Sequence, residues 1–224
     1  MQKVFAGVTL ITSFYAACEP MPDDFMDMNQ VLPEAIYDIR YYTDNNFVGM
    51  PVEGYLAPKC ILQRQAGQAL QNVAARVAEQ GMKLKIFDCY RPQRSVAHFM
   101  RWAQDLSDTR TKEDYFPNLP KTKLVGEYIA ERSGHSRGAT VDLTLVRQNS
   151  QGDWEELDMA SPFDMFDPLS NTANPTISSE QAANRQLLKG FMESEGFDNY
   201  SMEWWHYSLV PQPYTDTYFD FPVK

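Results

Sequence analysis

The sequence predicts an α+β fold, a single domain with a mostly antiparallel central sheet flanked by helices. Three observations carry this. Residues 61–80 set Leu62, Ala66, Ala69, Leu70, Val73 and Val77 at spacings of three and four, the period of an amphipathic helix. Segments 83–88, 141–146 and 203–210 read as strands, the first two by alternation, while the order of elements is loose and the C-terminal half hairpin-like, unlike a regular βαβ repeat. The 224 residues, with thirteen Phe, twelve Tyr and four Trp, suit one core better than two.

In chain order, residues 1–17 differ from the rest. Lys3 precedes a mostly apolar stretch from Val4 to Ala17, and no acid appears before Glu19. This is the layout of a secretory signal, too short to span a bilayer comfortably. Ala16-Ala17-Cys18 resembles the end of a lipoprotein signal, with Cys18 as the lipidated residue, although Tyr15 stands where Leu is usual. An ordinary signal cut is one competing reading; the other is an N-terminal strand or buried helix of the domain, which would make the protein cytoplasmic. The chain is therefore expected to be exported to the cell envelope, meeting a membrane only through a lipid anchor. Residues 18–33, with Pro20, Pro22 and Pro33, read as a linker, and 34–224 as the domain.

Within the domain, Tyr41 to Tyr55 reads as an extended loop with short strands. The helix over 61–80 ends before Gly81, a C-terminal stop. The strand over 83–88 runs into Tyr90-Arg91-Pro92. Helices are predicted from Ser95 to Leu106, from Leu124 to Arg132 and from Ser179 to Glu195, the last with Ser178 and Gln181 as a capping box. Residues 147–178, rich in Asp, Pro, Ser and Asn, read as irregular.

The net charge is −10, with no basic run and no Gly-rich phosphate loop, which argues against a nucleic-acid partner. With Cys18 set apart, Cys60 and Cys89 remain. In an oxidising compartment they form one bridge; otherwise they are two buried thiols.

The chemistry-bearing residues are few. The only histidines are His98, His135 and His206. His135 lies in the turn-like Ser133-Gly134-His135-Ser136-Arg137-Gly138, close enough to Asp142 for the chain to bring both to one rim. An acid inside Val141-Asp142-Leu143 needs a partner, because burying a bare carboxylate is costly. Two imidazoles and a carboxylate make a three-ligand zinc set with one position open, the pattern of a catalytic site. Glu203 stands three residues before His206. On a regular strand the two would face opposite sides, so Glu203 reaches the same site only from a bend. From there it could act as general base and acid. Arg91, at a strand end before a proline, is placed to stabilise an oxyanion. Trp204 and Trp205 either wall the site or fill the core.

Taken together, Asp88-Cys89-Tyr90-Arg91-Pro92, the Ser133–Gly138 turn with Asp142, and Glu203-Trp204-Trp205-His206-Tyr207 resemble the signatures of the D-alanyl-D-alanine dipeptidases of the VanX type. Asn46-Phe47, Gly49, Pro51-Val52, Gly54-Tyr55 and the C-terminal Tyr218-Phe219-Asp220-Phe221-Pro222-Val223-Lys224 extend the resemblance over the chain from about residue 30. It implies a zinc dipeptidase acting on the small substrate D-Ala-D-Ala, with one zinc per chain at the sheet. The resemblance assigns His135, Asp142 and His206 to zinc, Glu203 to general base and acid, and Arg91 to the transition state. It sets Tyr41, Asp88 and Ser133 near the substrate. Cys89 departs from the usual Gly, and Gly134 from a frequent Ser. A Cys60–Cys89 pair would tie the long helix to the strand bearing Arg91. An exported enzyme would meet dipeptide released from wall turnover. The competing functions are a D,D-carboxypeptidase or other murein peptidase on the same scaffold, and a metal- or wall-binding module without catalysis.

Overall fold

The computed structural model describes residues 19–224; the signal read over residues 1–17 and the lipidation read at Cys18 lie outside the described residues. The elements are β1 (Phe25–Asp27), α1 (Met28–Val31), β2 (Ile36–Tyr37), β3 (Ile61–Gln63), α2 (Arg64–Glu79), β4 (Met82–Asp88), α3 (Gln93–Gln104), α4 (Lys112–Tyr115), β5 (Thr140–Gln148), β6 (Trp154–Glu156), α5 (Ser179–Glu193), β7 (Phe197–Asn199) and β8 (His206–Leu209). The main sheet has the order β2-β4-β5-β8-β7, with β6 added to β5 beyond β8. Among the described residues, only the β2–β4 pair of this sheet is parallel. The α+β class and the largely antiparallel sheet are as the sequence predicts.

Strand β5 is the axis of the fold. Residues Thr140 to Val146 are all buried, so both its faces are covered. Helix α2 packs on β4 and α5, with Leu70, Val73 and Val77 fully buried. Each such side chain contributes roughly 1.5–3 kcal/mol relative to an exposed position. The capping box of α5 forms as expected: Gln181 N–H donates to Ser178 Oγ, and the Gln181 side-chain oxygen accepts from Ser178 N–H.

Four readings of the sequence are corrected. The helix expected over 61–80 begins only at Arg64. Ile61–Gln63 is β3, pairing antiparallel with β1, and Gln63 caps the helix by accepting from Gln65 N–H. Pairing partners far away in sequence override the local helical period. Phe25 and Met28 are buried, so the stretch read as a linker is part of the folded domain from residue 25 on. No helix covers 124–132. Gly126 sits at φ +98° and a bridge joins Val125 to Ile129, so the apolar spacing there serves a loop that turns Leu124 and Ile129 inward. The last strand starts at His206, not at 203.

The turn carrying His135 is a short 3-10 segment, Gly134–Arg137, closed by Gly138 at φ +82°. A Cβ on Gly138 would push into the Phe25 ring. We expect Gly138→Ala to cost roughly 2–4 kcal/mol from left-handed backbone and overpacking together, read as a lower midpoint in urea unfolding. An unchanged midpoint would show that the turn relaxes freely.

Candidate active site

The sheet register lines up three acidic or imidazole side chains. Asp88 on β4 is opposite Asp142 on β5, and Asp142 is opposite His206 on β8. The ladder slips between Ile86 and Asp88, which lets the end of β4 turn toward the site. His135 arrives from the turn before β5. Ser133 Oγ accepts His135 N–H at 3.3 Å, and the Gly138 N–H closes the turn on the His135 carbonyl.

The ring atoms converge. His135 Nε2 lies 3.2 Å from Asp142 Oδ2 and 3.3 Å from His206 Nδ1, while His206 Nδ1 lies 3.0 Å from Asp142 Oδ1. The candidate ligand atoms of His135, Asp142 and His206 all fall within 4.8 Å of one another. Two features fit this trio to a cation. His135 Nδ1 lies 2.7 Å from the Cys89 carbonyl, an acceptor only, so the ring donates there and its neutral form turns the Nε2 lone pair inward. Asp142 Oδ1 is buried and accepts no well-aligned hydrogen bond. Burial alone would raise the Asp142 carboxyl, but His135 and His206 outweigh it and hold the group well below the usual carboxylate range. Asp142 is thus the ionised, negative member of the trio.

Glu203 reaches this centre because it is not on a strand. Residues 200–205 form the turn between β7 and β8, braced by Asn199 Nδ2, which donates to the carbonyls of Glu203 and His206 at 3.1 Å each. Glu203 Oε2 stands 3.5 Å from His206 Nδ1. Burial pushes its carboxyl up to about 7, with Asp142 adding to the rise while His206 and Arg91 oppose it. Trp204 and Trp205 are core residues. Trp204 Nε1 donates to Ser161 Oγ, and Trp205 packs edge-on against Phe163.

Arg91 is gripped on several sides. Its Nε donates to Asp88 Oδ2 at 2.9 Å, and its guanidinium lies about 5 Å from the centroids of the Tyr41 and Phe99 rings. Asp88 is fully buried, and Tyr55 OH takes its other oxygen at 2.5 Å. It therefore orients Arg91 from beneath the cleft lining, with its Oδ2 also 3.4 Å from His135 Nδ1. Tyr41 and Ser133 do line the cleft.

The cleft holds about 280 Å³ and is lined by Arg91, His135, Asp142, Glu203 and His206, among others. It also contains Asp164, which sequence reasoning missed. Asp164 sits in the irregular stretch at φ +62° and accepts the Tyr41 hydroxyl at 2.7 Å. Burial first, then nearby Asp142, raises its carboxyl well above the ordinary value. Tolerance of left-handed backbone by Asp is the one local signal for such a residue, and it is a faint one.

Residues 21–224 match the model of peptidase family M15, described as D-Ala-D-Ala dipeptidase. The chain is 40% identical over 201 residues to a D-alanyl-D-alanine dipeptidase of Enterococcus faecium, an overlap covering 89% of this chain and 98% of that protein. It is 40% identical over 204 residues to one of Streptomyces coelicolor, covering 91% and 100%. A more distant D-alanyl-D-alanine dipeptidase, of Escherichia coli K12, is 30% identical over 186 residues, covering 83% and 84%. With both the family model and these relatives spanning nearly all of the described chain, the protein belongs to the D-Ala-D-Ala dipeptidase family of peptidases.

Proposed function

We propose that the chain is a zinc-dependent dipeptidase that hydrolyses D-Ala-D-Ala. The observation that carries this is the meeting of His135, Asp142 and His206 beside Glu203 and Arg91 in one small cleft. His135 through Nε2, Asp142 through its carboxylate and His206 through Nδ1 would hold the ion. Zinc bound there would supply Lewis acidity and bring the pKa of water in its open position toward about 7.

Glu203 then takes the proton of the attacking water and returns it to the leaving amine. A carboxyl raised toward about 7 suits both halves of that exchange. Arg91, held by Asp88 and by the Tyr41 and Phe99 rings, presents a fixed positive charge to the oxygen that becomes negative as the carbonyl turns tetrahedral. Asp164 and the Tyr41 hydroxyl give the cleft an acidic corner suited to the substrate ammonium. The Ser133 hydroxyl keeps its own proton free to donate while accepting from His135 N–H. The modest cleft volume, near the low end for small-molecule sites, supports a dipeptide over a long wall peptide.

We also propose that the protein works outside the cytoplasm, on dipeptide released from the wall, with a lipid anchor at Cys18. The Cys60–Cys89 disulfide supports an oxidising setting. Assaying D-Ala-D-Ala beside a wall pentapeptide ending in D-Ala-D-Ala tests the substrate. Hydrolysis of the dipeptide at least 100-fold faster by kcat/KM is expected, about 2.7 kcal/mol of discrimination. Faster release of D-Ala from the pentapeptide would make the chain a carboxypeptidase.

A further inference from the structure

The proposed chemistry leaves the Cys60–Cys89 disulfide without a role, although both cysteines are buried and Cys89 touches the trio through its carbonyl. Cys60 is anchored on its own side: its N–H donates to Asn29 Oδ1 at 3.0 Å, and its carbonyl accepts Met28 N–H at 2.8 Å. Cys89 lies just past β4, beyond the point where the β4–β5 register slips. The β4–β5 pairing ends one residue earlier, with Asp88 opposite Asp142. Past Asp88 the segment is held by the hydrogen bond from Tyr90 N–H to the Ile61 carbonyl at 2.9 Å, by the Tyr90 hydroxyl donating to the Phe221 carbonyl at 2.9 Å, and, at Cys89 itself, by the covalent bridge to Cys60.

That segment and His135 hold each other. The Cys89 carbonyl accepts His135 Nδ1–H at 2.7 Å, and Arg91 N–H returns to the His135 carbonyl at 3.3 Å. The first of these bonds selects the tautomer whose Nε2 lone pair faces Asp142 and His206. A carbonyl serves that purpose only if it stays in place. We infer that the Cys60–Cys89 bridge positions the metal centre, fixing the Cys89 carbonyl and through it the His135 ring and the start of Arg91. The inference rests on the reading of the trio as a zinc site. It gives the bridge a function in metal affinity, beyond holding β3 to the end of β4.

The test is zinc affinity of the full chain, measured by competition with a chromophoric chelator. Wild type is expected to take up one zinc per chain. Cys60→Ala/Cys89→Ala is expected to keep that stoichiometry while binding zinc roughly 10–100-fold more weakly, the usual cost of loosening the partner of a ligating imidazole. Val73→Ala, a buried truncation in α2 away from the trio, serves as a control for lost stability and is expected to keep wild-type zinc affinity. Affinity of the double variant within twofold of wild type would overturn the inference, as would an equal loss in Val73→Ala. Should the double variant not fold, the same titration on wild-type protein reduced with a phosphine decides the matter on the same two outcomes. Wild-type protein that takes up no zinc would overturn the zinc reading itself, a result distinct from an affinity that does not change.

Discussion

Glu203→Gln should abolish most hydrolysis while leaving the metal in place. The amide keeps nearly the same shape in the turn before β8 but cannot accept a proton. General base and acid work of this kind is worth roughly 10²–10⁴-fold, so kcat should fall by that amount with KM little changed. Zinc content should stay at wild-type level, because the ligand trio does not include Glu203. The pH profile gives a second readout. Glu203 must be ionised to act as base, so kcat/KM should rise with pH as the carboxylate forms. Burial pushes this carboxyl up to about 7 without an ion, and a cation held by the neighbouring trio would favour the carboxylate, so the acid limb should fall at or below about pH 7. Near-normal turnover in Glu203→Gln would remove Glu203 from the mechanism.

Asp142→Ala should have the larger effect on the metal. Its carboxylate lies within about 3 Å of both imidazoles and is the negative member of the trio. Truncation leaves two neutral donors, and zinc measured after dialysis should drop to a small fraction of one per chain. Activity should fall by at least about 10³-fold, with partial recovery only in excess zinc. Far-ultraviolet circular dichroism should stay close to wild type, since Ala at this position still fits a covered strand. Full zinc occupancy in Asp142→Ala would exclude this carboxylate as a ligand.

These expectations draw on both sequence and structure, and the two contributed unequally. The trio, Glu203 and Arg91 could be named from types and spacing, because few histidines are present and an acid inside an apolar strand demands a partner. What spacing could not supply was the geometry of Glu203. Its approach depends on β8 starting at His206 and on Asn199 bracing the preceding turn, both long-range outcomes of sheet pairing. Asp164 was hidden for a similar reason. It sits in a stretch without periodicity, and only the folded chain brings it 123 residues back to Tyr41. The pairing of Asp88 with Arg91 was likewise not legible in the sequence, because only the turn at the end of β4 brings the two side chains together. The loop at 124–132 misled through its apolar spacing, which a glycine in left-handed conformation converts from a helix into a turn.

The central claim is that hydrolysis depends on a cation held by His135, Asp142 and His206. The most direct measurement is D-Ala-D-Ala hydrolysis by purified wild-type protein, with metal content determined on the same samples, before chelation, after chelation and after zinc is returned. The account predicts one zinc per chain at the start, loss of activity in proportion to the zinc removed, and recovery when it is restored. Full hydrolysis by protein stripped of metal would contradict it.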